Sequence, residues 1–149
     1  MANDTIRTNI AVVVKNEPFA FDALRVRNIL EVGRITRVPN AKEFILGVIN
    51  HHGSIIPVAD FASILGKGSI EIHKECAILV VSSDDTLESQ IGFLVEEVRE
   101  VFEIKDEQIA KSVAVDGAGL VDSFEGTVSK DGEFIQLINI DQLITVIES

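Results

Sequence analysis

Three histidines and a single cysteine, set against 24 carboxylates, are the side chains best equipped for chemistry. His51 and His52 are adjacent and of a metal-ligating type. On extended backbone, neighbouring side chains leave opposite faces, so such a pair does not close on one ion. Three histidines and one cysteine also fall short of a four-ligand zinc site unless carboxylates join them. Solvated turn histidines are the expectation. His73 and Cys76 have a ligand-like spacing too, yet Cys76 opens the run Ala77-Ile78-Leu79-Val80-Val81, which predicts a buried, unreactive thiol. No base or oxyanion motif accompanies that sulfur. The pairs Asp84-Asp85, Glu96-Glu97 and Asp106-Glu107 have acid–base potential, but they fall at strand ends and turns, where charge runs are ordinarily solvated. Gly66-Lys67-Gly68-Ser69 lacks phosphate-loop spacing, and no G-x-G-x-x-G follows a strand. The reading is of a chain with no catalytic residue, no metal and no cofactor. A small enzyme or metal-binding protein is the competing class, and it predicts activity or bound metal that disappears on His51→Ala or His52→Ala.

The elements that would have to carry a site are mostly strands. The chain has 149 residues, 46% of them apolar, and a net charge of −11. That size suits one domain, 1–149, or two very small units sharing a core. The charge repels nucleic acid and anionic membrane surfaces, and eight Phe without Trp or Tyr make poor stacking platforms for bases. No apolar run approaches the roughly 18 residues that cross a bilayer, which argues against membrane insertion. The opening MANDTIRTNI is not a leader, and one cysteine forms no internal disulfide, so a cytoplasmic location is expected.

Ile, Val, Leu and Phe come in short bursts bounded by Gly, Asn, Asp and Ser, the pattern of strands. Strands are predicted at Ile10–Lys15, Phe19–Phe21, Ile29–Ile35, Ile55–Val58, Ala77–Val81, Ile91–Leu94, Val98–Ile104, Phe124–Val128 and Glu133–Ile138. Short helical turns are predicted at Asp60–Leu65, Asp106–Ile109 and Asp141–Ile147, each with an Asp as cap. Lys111–Gly119 reads as a loop.

Self-similarity carries more information than any motif. An offset of 79 lays Gly47-Val48-Ile49-Asn50-His51-His52-Gly53 on Gly126-Thr127-Val128-Ser129-Lys130-Asp131-Gly132 and continues through Val58 on Leu137 to Leu65 on Ile144. An offset of 72 lays Phe19-Ala20-Phe21 on Ile91-Gly92-Phe93, Val26-Arg27 on Val98-Arg99 and Ile29 on Val101. An offset of 66 places Ala11–Val14 on Ala77–Val80. The growing offset, read from front to back, implies longer loops in the second copy, at Ser82–Ser89 and within Asp106–Ser123. Units of about 11–65 and 77–144 result, each with about five short strands, too small to hide its apolar faces alone and suited to curl into a small barrel.

Val38-Pro39, Phe44-Ile45-Leu46-Gly47-Val48-Ile49-Asn50 and Gly53-Ser54-Ile55-Ile56-Pro57-Val58-Ala59-Asp60 resemble the central signature of the chemotaxis coupling protein CheW and CheW-like domains. Phe19–Ile29, Ile91–Val98, Phe124-Glu125-Gly126 and Leu137-Ile138-Asn139-Ile140 extend the likeness over nearly the whole chain. The resemblance implies an all-β fold of two SH3-like five-stranded barrels related by a pseudo-two-fold, with short helical turns. It also implies a non-catalytic adaptor that joins the cytoplasmic tips of methyl-accepting chemoreceptors to the regulatory domain of a CheA-type histidine kinase, in the cytoplasm at receptor arrays. An adaptor of a chemosensory system other than motility, or a component of self-assembling rings, is the alternative.

By the same resemblance the receptor tip lies in a groove between barrels, at positions that include Val26, Thr36, Gly47 and Val101. The kinase surface is an apolar barrel end that the likeness does not map to residues. Two positions depart from the pattern: Asn28 and His52 stand where the family typically carries a Glu and an Arg that tend to form an ion pair. Both halves have changed, so no orphan charge is left. A neutral Asn–His hydrogen bond and no contact at all are both open. A receptor of altered tip sequence fits, as does a kinase array that controls something other than swimming. Gly47→Asp is expected to hurt partner binding more than folding, because glycine permits close approach at a groove.

Overall fold

A computed structural model of the chain describes residues 5–82, 89–111 and 124–148. Among the described residues eleven strands run β1 (Ile6–Val14), β2 (Glu17–Asp22), β3 (Val26–Glu31), β4 (Ile45–His51), β5 (Ser54–Asp60), β6 (Ala77–Ser82), β7 (Gln90–Val95), β8 (Glu97–Lys105), β9 (Ala110–Lys111), β10 (Phe124–Lys130) and β11 (Glu133–Ile138). Two α-helices, α1 (Phe61–Ile64) and α2 (Ile140–Glu148), close the halves, and one-turn 3-10 helices occupy Ala23–Arg25 and Asp106–Gln108. β4 was not predicted as a strand, and β3 lies nearer the N-terminus than its predicted range. The predicted long loops fall largely at 83–88 and 112–123, outside the described residues.

The strands form two sheets, in the orders β8-β1-β2-β11-β10-β9 and β3-β6-β7-β5-β4. This corrects the expectation that each copy curls on its own: both sheets take strands from both halves. The β2–β3 connection explains the exchange. A two-residue turn would return the chain beside β2, but a 3-10 turn capped by Asp22, whose carboxylate accepts from the Leu24 N–H at 2.9 Å, sends it to the other sheet.

Strand by strand, β3-β6-β7-β5-β4 matches β8-β1-β2-β11-β10. The ladders skip Arg27 in β3 and Arg99 in β8, and Leu46 in β4 and Glu125 in β10, so the bulges sit at positions 72 and 79 residues apart. The register corrects one alignment. Ala11 faces Ala20 and Glu100, and Val80 faces Gly92 and Asn28, so Ala11 matches Val80 and the β1–β6 offset is 69, not 66. Both segments are unbroken apolar runs, which lack the alternation that selects a register.

Each sheet curls back on itself through a short contact. Thr36 and Val48 exchange two backbone hydrogen bonds of 2.8 Å, and β9 pairs with β10 at Lys111↔Gly126 and Ala110↔Thr127. Among the described residues these short pairings, not a continuous ladder, link the far edges, so the units are curled sheets. Three hairpins turn through two residues with positive φ: Lys15-Asn16, His52-Gly53 and Asp131-Gly132.

Buried phenylalanines join the sheets. Phe21 of β2 lies 5.9 Å from Phe93 of β7, and Phe61 of α1 stands 5.4 Å from both Phe19 and Phe21. Asp60 caps α1 as predicted: its buried carboxylate accepts from the N–H groups of Ala62, Ser63 and Ile70 at 2.9, 3.2 and 2.8 Å. The other two predicted caps are replaced. Asn139 caps α2, accepting from the Gln142 N–H at 3.1 Å, while Asp141 turns to Arg25 at 2.7 Å. At the second 3-10 turn, Asp106 lies inside the turn and pairs with Arg7 at 2.7 Å.

Candidate functional site

β3 and β8 end their sheets, and at matching positions they expose Ile29 (47%) and Val101 (61%). Val26 opens β3, half-buried against the core, and Asn28 follows the bulge with its side chain exposed. Thus Val26 and Asn28 share one edge strand, and Val101 occupies the other.

Thr36 and Gly47 meet through the chain's own backbone. A Cβ built on Gly47 would lie 2.2 Å from the Thr36 carbonyl oxygen, and one on Gly126 would lie 2.5 Å from that of Ala110. Glycine is therefore required at both places by an internal contact. The expectation for Gly47→Asp is reversed: any side chain there attacks the Thr36–Val48 bridge before a partner arrives.

His52 takes φ +51° in the β4–β5 turn, exposed, with its ring 4.2 Å from that of His51. Among the described residues no hydrogen bond joins it to Asn28. Cys76 is buried just before β6, where its sulfur accepts from the His73 N–H at 3.4 Å, and the His73 ring nitrogen accepts from the Glu75 N–H. Among the described residues no group of three or more His, Cys, Asp or Glu could hold a metal ion, and no helix is long and apolar enough to cross a membrane.

The two edges differ in charge. Around β3 stand Arg25, Arg27, Arg34 and Arg37 with Glu31; along β8 and its turn stand Glu97, Glu100, Glu103, Asp106 and Glu107 with Arg99 and Lys105. Several are fixed locally. Arg25 donates to the Ser82 carbonyl at 3.1 Å and pairs with Asp141, and Arg27 donates to the Ser82 hydroxyl at 3.1 Å. On the other side Arg99 pairs with Glu133 at 3.0 Å, and Lys130 pairs with Glu100 at 2.8 Å. The Arg25 hydrogen bond holds the Asp141 carboxyl below its ordinary range, against a smaller effect of burial. Hydrogen bonding to Glu125 raises the Arg7 guanidinium further above its already high value. These pairs brace surfaces, and neither edge converges polar groups on a reacting atom. The bulges at Arg27 and Arg99 and the close approach at Ala110–Gly126 were not among the expected site residues; matching the two copies position by position is the signal that finds them.

What fold and site define is a scaffold of two matched, curled sheets whose distinguishing features are exposed edges. The family profile described as a CheW-like domain matches residues 10–148, and the chain belongs to that family. It is 34% identical over 131 residues to the chemotaxis protein CheW of Thermotoga maritima, covering 88% of this chain and 83% of that one. It is 28% identical over 138 residues to the chemotaxis protein CheW of Rhizobium meliloti, covering 92% and 86%. The crystal structure of the scaffolding protein TtCheW from Thermoanaerobacter tengcongensis superposes with a TM-score of 0.80 at 28% identity, covering 90% of this chain and 84% of that one.

Proposed function

We propose that this chain is a chemotaxis-type coupling adaptor, a non-catalytic scaffold that joins a chemoreceptor tip to the regulatory domain of a CheA-type histidine kinase in cytoplasmic receptor arrays. The observation that carries the reading is the pair of edge strands with Ile29 and Val101 exposed at matching positions, in a chain of the CheW-like family. Val26, Asn28, Thr36, Gly47, His52 and Val101 are the proposed receptor-side positions. Apolar contact at Val26 and Val101 supplies affinity, and Asn28 and His52 stand where an ion pair is usual.

Titrating the chain with a receptor tip fragment and with a kinase regulatory domain from the same cell tests the reading. Both are expected to bind, and Val101→Asp is expected to weaken the receptor fragment by about tenfold or more, since a charge placed in an apolar contact is strongly unfavourable. Val101 is exposed, so its replacement leaves folding intact. Binding to neither protein sinks the proposal. The presence of Asn28 and His52 where the resemblance expects a Glu and an Arg favours a second reading, a coupler of a chemosensory system other than motility. That reading expects the chain to bind the receptors of such a system and to pass over those of swimming cells.

A further inference from the structure

Val26, which opens β3, stands between two arginines that both reach Ser82 at the end of β6, a residue only 3% exposed. Arg27, in the bulge, donates its Nε–H to the Ser82 hydroxyl at 3.1 Å, and Arg25 donates from Nη2 to the Ser82 carbonyl at 3.1 Å. The same Nη2 also donates to the Asp141 carboxylate in the first turn of α2, at 2.7 Å. One amino group thus ties the start of an edge strand both to the end of its neighbour and to a helix from the other half of the chain. The 3-10 turn that carries Arg25 is itself held by the Asp22 cap.

The matching places of the other half hold different groups. Arg25 corresponds to Glu97 by the 72-residue offset, Asp141 to Ala62 by the 79-residue offset, and Ser82 to Val13 by register. Alanine offers no carboxylate and valine no hydroxyl, and the Val13 carbonyl accepts from the Glu96 N–H at 3.1 Å. Arg99, the match of Arg27, turns instead to Glu133 at 3.0 Å. Yet Val98, the match of Val26, packs half-buried against the core just as Val26 does. The fold therefore seats this valine without a clamp, and the clamp appears on the half where Val26 is a proposed binding position. An edge strand has a neighbour on one side only, so its first residues keep freedom that a partner must freeze on binding; holding them beforehand removes that cost. We infer that Arg25 is a positioning residue for receptor-tip binding, fixing the Val26 end of β3 before the partner arrives and connecting it to α2 through Asp141. The inference rests on the adaptor reading. The Asp141 side chain is 71% exposed, so water screens the pair in the free chain. A partner seated on Val26 displaces that water, and the pair strengthens.

The test titrates the full chain with the receptor tip fragment and, separately, with the kinase regulatory domain. Arg25→Gln is expected to weaken the receptor fragment by about fivefold and Asp141→Asn by about threefold. The double variant is expected to bind no worse than Arg25→Gln alone, because both substitutions act through one contact. Arg25→Lys is expected to stay within about twofold of wild type, since a single nitrogen serves both acceptors and an ammonium can take its place. Kinase-domain affinity is expected to hold within about twofold in every variant, a readout that general loosening of the chain would move. If Arg25→Gln lowers the melting temperature, Asp141→Asn, at an exposed carboxylate, carries the test. A loss from Arg25→Gln that Asp141→Asn does not share means that Arg25 touches the receptor directly, and it overturns the positioning role. Unchanged receptor affinity in both single variants, a double variant weakened by about the fifteenfold product of the singles, or equal losses toward the kinase domain overturn it as well. A wild-type chain that does not bind the receptor fragment removes the adaptor reading itself, whatever the variants do.

Discussion

The sheet β3-β6-β7-β5-β4 and the sheet β8-β1-β2-β11-β10-β9 pair their strands in the same order and skip residues at the same places, yet their interiors are filled differently. Ile78 in β6 is matched by Asn9 in β1, Gly92 in β7 by Ala20 in β2, and Leu30 in β3 by Phe102 in β8. Backbone hydrogen bonding thus holds the register while side-chain volume drifts between neighbours. Where the backbone itself makes the contact, at Gly47 with Thr36 and at Gly126 with Ala110, both copies keep the glycine. We infer from these correspondences that one unit was duplicated, and that shape is held hardest at backbone-to-backbone contacts.

The largest expected effect tests that last point. Gly47→Ala and Gly126→Ala force a Cβ to within 2.2 and 2.5 Å of a carbonyl oxygen, so each must open a curl-closing contact. Overpacking with loss of the local hydrogen bonds is expected to cost about 3 kcal/mol in each case. Urea unfolding of both variants measures it. Similar losses sharpen the equivalence of the sheets, and a Gly47→Ala variant as stable as wild type breaks it.

A second prediction concerns the drifted volumes. Asn9 is 4% exposed, and its amide nitrogen has no hydrogen-bond partner among the described residues, while Ile78 in the matching position presses its Cγ2 to 2.6 Å from where a Cβ on Gly92 would sit. Isoleucine therefore goes with glycine on the neighbouring strand, and the smaller asparagine with alanine. Asn9→Ile alone removes an unsatisfied amide but crowds Ala20, and the two effects nearly cancel. Adding Ala20→Gly relieves the crowding, so a double-mutant cycle is expected to show a favourable coupling of about 1 kcal/mol or more. Strict additivity would mean that the interiors are not interchangeable.

Repetition made the fold readable from the chain, since glycines 79 residues apart and the Val-Arg pairs 72 apart fall on matching bulges and turns. Asp60 was readable because a short acidic residue before an apolar burst has one good use as a cap. The β1–β6 register escaped because Ala11–Val14 and Ala77–Val81 are apolar throughout. The exchange of strands between sheets escaped too, since no composition signal marks that three residues at Ala23–Arg25 form a redirecting turn rather than a hairpin. At the site, spacing picked out Gly47 but not its reason: a glycine against a partner and a glycine against Thr36 look the same in sequence.

The smallest effect separates the ends of the two halves. Asp141 in α2 pairs with Arg25 at 2.7 Å, whereas the matching first turn, α1, is tied by the buried Asp60, whose carboxylate serves three backbone N–H groups. The folded-state pKa of Asp141 lies below its ordinary value, chiefly through the Arg25 hydrogen bond. Its contribution to stability is therefore fully present above the unfolded carboxylate pKa, and it is lost as pH falls through the lower, folded value. The carboxylate is largely solvated, so water and salt screen the pair, and the contribution is expected to stay under about 0.5 kcal/mol. Asp141→Asn should lower stability by no more than that at neutral pH and converge with wild type in acid, read from urea midpoints across pH. Asp60→Asn, at the cap of the other half's helix, should cost about 1–3 kcal/mol, because a buried acceptor of charge-assisted bonds is weakened where solvent gives no relief. Equal losses at the two positions would mean that burial does not distinguish the halves.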